Sequence, residues 1–203
     1  MEGPVPTLRV ATPPDAPRIE ALMKASTGAI FPAHYSAAQT ASAVRYVAQA
    51  DPILIEDGTY FVFEVADELV GCGGWSRRGR PYVGSRAAPG DDRVLDPEIE
   101  AAHVRAMFVR PDWTRRGLGR RILEECEAAA RRAGFRQLDL VATLPGIPLY
   151  RSFGFAPTDE IRDIVLADGV PLPCLAMSKA IDSESTSRVF PSTKVGSGAD
   201  TRI

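Results

Sequence analysis

The sequence predicts an α/β protein, a sheet covered by helices on both faces, and three observations carry that prediction. Ala102–Val109 reads as a strand, Arg115–Arg120 as a basic glycine turn and Arg120–Arg132 as an amphipathic helix. Thr59–Ala66 and Leu69–Trp75, joined at Asp67-Glu68, read as a hairpin. Its apolar residues at 61, 63 and 65, and at 62 and 70, leave both sheet faces largely covered, as a sheet between helices requires.

The remaining elements follow in order. Thr7–Ala11 is a first strand, after which Asp15 is placed to cap a helix with Ile19, Leu22 and Met23 on one face. Residues 26–36 are irregular and a second helix spans Ala37–Gln49. Ser76–Pro97 breaks the pattern with glycines, prolines and five arginines, a connection longer than the roughly 12–15 residues usual in compact domains. In the helix after the glycine turn, Leu118, Ile122, Leu123, Cys126, Ala129, Ala130 and Ala133 form a 3.6-period stripe; Glu127 and Arg131 pair on the wet side and Gly134 ends the helix. Gln137–Ala142 is a short strand, a short helix starting at Pro145 or Ile147 carries Tyr150, and Gly154 stops it. Strands near Asp159–Leu166 and Pro173–Ser178 flank Asp168-Gly169. The domain is expected over residues 1–182, with 183–203, rich in Ser, Thr and Gly, a disordered tail.

With 203 residues, 45% hydrophobic and 25% charged, the chain is long enough for one domain with a sizeable core. A formal net charge of −2 gives no general attraction to nucleic acid, so any anion site is local. Cys72, Cys126 and Cys174 lack metal-like spacing and read as reduced, mostly buried thiols. No apolar run approaches the ~20 residues of a membrane span, and Met1–Pro14 carries no secretory pattern. Cytoplasm is the expected location, without nucleic-acid or membrane partners, as a monomer or homodimer.

Chemistry concentrates at Arg115-Arg116-Gly117-Leu118-Gly119-Arg120. First-turn N–H groups have no partner inside a helix, the helix dipole favours an anion there, and arginines add charge-assisted hydrogen bonds. Glycine lets the backbone approach an oxygen-rich ligand, so a phosphate or pyrophosphate fits. The stretch is no Walker loop, lacking Gly-Lys-Ser/Thr, and no dinucleotide fingerprint, since position 122 is Ile. A nucleotide-binding reading also wants a magnesium ligand or a phosphate-reaching lysine. About 30 residues on stands Pro145-Gly-Ile-Pro-Leu149-Tyr150-Arg-Ser-Phe-Gly154-Phe155.

Together these two stretches resemble the GNAT superfamily of acyl-CoA-dependent N-acetyltransferases, and the resemblance covers residues 7 to 180. Gly117 and Gly119 match the family's pyrophosphate-binding glycines, and Leu149-Tyr150-Arg-Ser-Phe-Gly154-Phe155 matches its Leu-Tyr-x-x-x-Gly-Phe segment. Thr114 departs from the usual Gln or Arg, with Arg115 and Arg116 at hand to replace it, and the asparagine often found before the last helix is missing from Ala142–Gly146. The resemblance implies a mixed, mostly antiparallel sheet of six or seven strands flanked by helices and splayed at the coenzyme A site. It further implies acetyl-CoA as cosubstrate without a metal, held by Arg115, Arg116, Gly117, Leu118, Gly119 and Arg120. The backbone of Met107, Phe108 and Val109 would pair with the pantetheine arm.

Within that frame Tyr150 is the candidate general acid, because a phenol of pKa ~10 is protonated at neutral pH and can hydrogen-bond a leaving sulfur. His103, Arg105 and Met107 are expected to alternate onto one strand face and Val104, Ala106 and Phe108 onto the other. His103 is the candidate base, with Glu64, Glu98 and Glu100 as competitors, and Arg105, on the same face, is placed to bind an acidic group on the acceptor. Trp75 and Trp113 read as packing residues and Cys126 as core. The implied activity is direct transfer of acetyl from acetyl-CoA to a primary amine of a small molecule or peptide; a catalytically silent acyl-CoA-binding module is the alternative. The Ser76–Pro97 loop, net positive against Asp91, Asp92 and Asp96, is expected to cover the acceptor side.

Overall fold

The computed structural model describes residues 5–80 and 92–181. One eight-stranded sheet forms its centre: β1 (Thr7–Val10), β2 (Tyr60–Val65), β3 (Glu68–Ser76), β4 (Ala102–Val109), β5 (Gln137–Thr143), β6 (Ala156–Pro157), β7 (Arg162–Val165) and β8 (Pro171–Ala180). The order is β1-β2-β3-β4-β5-β8-β6, with β7 also on β8. Only β4 and β5 run parallel; every other pair is antiparallel. The expected mixed, mostly antiparallel sheet is therefore present. The strand beyond the expected number is the two-residue β6, too short to leave an alternating pattern.

Five helices cover both faces: α1 (Ala16–Ile30), α2 (Ala37–Tyr46), α3 (Pro52–Glu56), α4 (Leu118–Arg132) and α5 (Ile147–Phe153). On one face Ile19, Leu22 and Met23 of α1 and Leu54 of α3 pack on Tyr60, Val62 and Cys72. On the other, Ile122, Leu123 and Cys126 of α4 pack on Phe63, Val70, Val104 and Leu138. The β2–β3 turn is Ala66-Asp67, both in the left-handed region (φ 46° and 65°), which matches the twist of the flanking strands. Glu68 already belongs to β3 and pairs with Arg110.

Three local expectations are corrected. Asp15 does not cap α1; its carboxylate accepts from Arg9 (2.7 and 2.9 Å), Thr12 N (2.8 Å) and Arg18 (3.2 Å). The second helix stops at Tyr46 rather than Gln49, with Val47 as its C-cap, and Pro52 holds Asp51 extended (φ −92°, ψ 106°) ahead of the next helix. Asp51 then starts α3, accepting from Ile53 N at 3.0 Å. The arginine-rich loop is also less positive than its composition suggests. Arg77 and Arg78 meet Asp57, Arg80 meets Asp92 and Arg93 meets Glu100. Its two ends continue the β3 edge as a short ladder, with Gly79 N donating to Arg93 O (3.1 Å) and Leu95 N to Arg77 O (2.8 Å). Residues 81–91 of that loop, and the tail 183–203, lie outside the described residues. No helix among the described residues is long and apolar enough to cross a membrane.

Candidate active site

β4 and β5 pair at only two positions, Ala102↔Leu138 and His103↔Asp139, and then separate. β5 meanwhile stays paired with β8 from Gln137 to Thr143, and β4 with β3 out to Val109, so neither strand can close the gap. The gap opens into a cavity of about 330 Å³. Val104–Phe108 form one wall, Val141 and Thr143 the other, and Tyr150 reaches in from α5. A strand edge facing such a gap carries backbone N–H and C=O groups that an extended ligand can pair with.

The line of β4 is broken by a bulge. Gly74 pairs with Arg105 and Cys72 with Phe108, which leaves two β4 residues opposite Gly73, and Ala106 takes φ 54°. The expected alternation is thereby corrected. Met107 falls on the α4 side with Val104, its Sδ filling the place where a Cβ on Gly73 would stand, while Ala106 and Phe108 pack on the α1 and α3 side. Phe108 and Met107 line the cavity. Val109 does not, and its carbonyl accepts from Ser26 Oγ at 2.9 Å.

Arg105 is buried with its guanidinium against the Asp51 carboxylate and the Arg80 carbonyl. The side chains of this pair are 3% and 4% exposed. Burial holds the guanidinium below its ordinary pKa. Arg105 lines the cavity, but Asp51 already compensates its charge, so it is not the free cation expected beside an acidic acceptor.

Tyr150 sits where two local features put it. Tyr35 Oη donates to Pro173 O and accepts from Leu144 N, both at 2.8 Å, which ties the β5–α5 turn to β8. Gly146 then leaves room for the Tyr150 ring, since a Cβ there would stand 2.8 Å from Cε2. The ring is 9% exposed, edge-on to Phe155 at 5.9 Å. Burial and the neighbouring Cys126 thiol push the phenol above its ordinary pKa, so it keeps its proton.

At the other end stands the glycine turn. Gly117 (φ 81°) precedes α4 as its N-cap, and Arg115 (φ 61°) is also left-handed, so this turn runs through conformations that shape anion-binding concavities. A Cβ on Gly117 would meet nothing within 4 Å, whereas one on Gly119 would stand 2.9 Å from Leu149 Cδ2. The two glycines thus do different work. Gly117 sets the turn and leaves open space above it; Gly119 lets α4 approach α5. The guanidinium of Arg116 lies over Trp113 (4.5 Å), and that of Arg120 over Phe153 (5.4 Å) beside Glu124 (3.1 Å). Thr114 turns its hydroxyl back to Pro111 O (2.9 Å), leaving Arg115 and Arg116 exposed at the turn.

Comparison with known proteins bears on this arrangement. Residues 56–157 match the family model described as an acetyltransferase (GNAT) domain. The chain belongs to the GNAT acetyltransferase family. Among solved structures it is similar to a GCN5-related N-acetyltransferase from Rhodopseudomonas palustris (19% identity, 89% of this chain and 98% of that one, TM-score 0.63). It is also similar to the PaiA N-acetyltransferase of Thermoplasma acidophilum in complex with coenzyme A (15%, 87% and 99%, 0.59). A third is the ribosomal-protein-S18-alanine N-acetyltransferase of Escherichia coli (18%, 92% and 100%, 0.54). At these identities the likeness shows the fold. Comparison with curated proteins gave no match.

The Thermoplasma acidophilum structure holds coenzyme A. The present chain offers features that suit such a molecule: open space over Gly117 at the glycine turn, a separated β4 edge, and a protonated phenol in the gap. His103 of the GNAT domain is elsewhere. It does not line the main cavity but a second hollow of about 180 Å³, which adjoins the first at Val141. There its Nδ1 is held by the Asp139 carboxylate. Glu64 is engaged by Arg9 and Arg18, Glu100 by Arg93, and Glu98 is exposed; none of the three competitors lines either hollow. Trp75 packs on Phe135 and Cys126 is buried in the core, as expected. Sequence reasoning missed Asp51, whose signal was Asp-Pro before an apolar run, and Tyr35, which had none.

Proposed function

We infer that the protein transfers an acetyl group from acetyl-CoA to a primary amine of a small molecule or peptide, directly within a ternary complex. The observation that carries this reading is the gap between β4 and β5, with the glycine turn at one end and the Tyr150 phenol inside it. Acetyl-CoA supplies the activated thioester. The chain supplies three things: a strand edge at Met107 and Phe108 to align the pantetheine arm, helix N–H groups and Arg115, Arg116 and Arg120 to fix the pyrophosphate, and a proton at Tyr150 Oη for the departing sulfur. His103, held through Nδ1 by the Asp139 carboxylate in the adjoining hollow, is the base of this reading, with Nε2 as its remaining ring nitrogen.

Direct transfer is favoured over an acetyl-cysteine relay. Cys72 and Cys126 are buried in the core, and burial pushes the thiol of Cys174, which lines the cavity, up to about 12. Peptide amines belong to the acceptor class because one structurally similar protein is named for acetylating an alanine of a ribosomal protein. The three free buried thiols suit the cytoplasm. The experiment is thiol release from acetyl-CoA with a panel of amines. Release that depends on an amine and yields its N-acetyl product supports the reading. Coenzyme A binding without release for any amine would make the protein a catalytically silent acyl-CoA-binding module.

A further inference from the structure

The cavity is deeper than the gap between the strands, and its far side says what enters it. Beyond β4 and β5 it is lined by the C-terminal end of α2 and by the β7–β8 hairpin, with Val47, Ile164, Leu166 and Leu172 as an apolar wall and Val165 beside them, 68% exposed. An arm aligned on the β4 edge leaves that wall for the acceptor. Apart from Arg105, the polar side chains that line the cavity, Tyr46, Gln49, Thr143 and Tyr150, carry no charge at neutral pH. Among the described residues, Arg105 is the only Asp, Glu, Lys, Arg or His side chain that lines the cavity, and it is spent on Asp51.

We propose that the acceptor presents a single primary amine on an apolar, otherwise uncharged body, aliphatic or aromatic, and that a second ionised group near the amine excludes a molecule from this site. The inference rests on the acetyl-transfer reading and narrows it. A second ammonium group would lose its water here with no unpaired carboxylate to meet it. A carboxylate fares no better, because Arg105 is already neutralised. The same wall favours the chemistry: an amine buried against it has its pKa lowered, so the reacting nitrogen loses its proton more readily than in water. This eases the demand on a base that stands outside the cavity.

The test compares two amines of one length, pentylamine and 1,5-diaminopentane, on the full chain. Specific thiol release is measured as kcat/KM, and binding in the presence of coenzyme A by calorimetry. We expect pentylamine to be favoured by about 100-fold, and Leu166→Asp, which sets a carboxylate in the wall, to shrink that ratio at least about tenfold, with a melting curve confirming that the variant is folded. Should the variant fail to fold, the wild-type ratio decides alone. If the diamine is used as well as or better than pentylamine, the inference is overturned and acetyl transfer stands. If pentylamine out-binds the diamine yet no thiol is released, transfer fails and the inference about the cavity holds. Failure of pentylamine to bind overturns it.

Discussion

Replacing Tyr150 by Phe removes one oxygen from the cavity and leaves the ring. That ring is 9% exposed and stands edge-on to Phe155, contacts that Phe repeats. No hydrogen bond contributes to the state of its hydroxyl, so stability should change by no more than about 1 kcal/mol. If the hydroxyl protonates the leaving sulfur, kcat should fall by about two orders of magnitude, the lower end of general-acid effects. At about 1.36 kcal/mol per decade this is about 2.7 kcal/mol of transition-state stabilisation. The acetyl-CoA KM should stay near the wild-type value, because turn and strand edge are untouched. The sign of the pH effect follows from burial. A phenol held above its ordinary value remains protonated below that raised pKa and loses its proton only as pH rises through it, so it contributes no alkaline limb to kcat below about pH 10. Steady-state thiol release between pH 6 and 9.5, with a melting curve for each protein, measures both. Wild-type turnover in folded Tyr150→Phe would refute the general-acid role.

Gly117→Val forces a β-branched residue to φ 81°, at roughly 1–2 kcal/mol, and fills the open space over the turn; coenzyme A affinity should drop at least about tenfold by calorimetry, and an unchanged affinity would remove the pyrophosphate from this turn. Asp51→Asn leaves the Arg105 charge buried and uncompensated, which should cost about 3–5 kcal/mol and lower Tm by about 10 °C; an unaltered Tm would show that the pair is not a stability determinant. Hydrogen bonds from Arg9 hold the Asp15 carboxyl well below the usual carboxylate range, and Arg9 and Arg18 act likewise on Glu64. A depressed folded-state pKa gives stability that is complete above about pH 4 and lost as pH falls below it, so Tm should decline from pH 5 to pH 2, and less steeply in Asp15→Asn.

Much of this architecture was legible because its signals are local. The α4 stripe from Leu118 to Ala130, the left-handed Gly134 and Gly154 that end helices, and the strand before the glycine turn are set by periodicity and backbone conformation. Gly117 and Tyr150 were legible as positions in a motif; the reason for Gly119 was not, since it lies in the contact with Leu149 across two helices. The β4 bulge escaped because the strand's alternation, read residue by residue, contains no mark of an extra residue opposite Gly73. For the same reason His103 and Arg105 were grouped with Met107. The Arg105–Asp51 pair spans 54 positions, and the Tyr35 contact with Leu144 spans 109. Charge counting misjudged the Ser76–Pro97 loop because Asp57 and Glu100, which neutralise three of its arginines, lie outside that segment.

The most direct test of acetyl transfer at the β4–β5 gap is to incubate the protein with acetyl-CoA, first alone and then with pentylamine, while following thiol release and the masses of protein and amine together. The account predicts little release without amine, an unmodified protein mass throughout, and, once amine is added, thiol and N-acetylpentylamine formed one for one. A protein that takes up acetyl stoichiometrically in the absence of amine, or that binds coenzyme A and acetylates no amine, would contradict it.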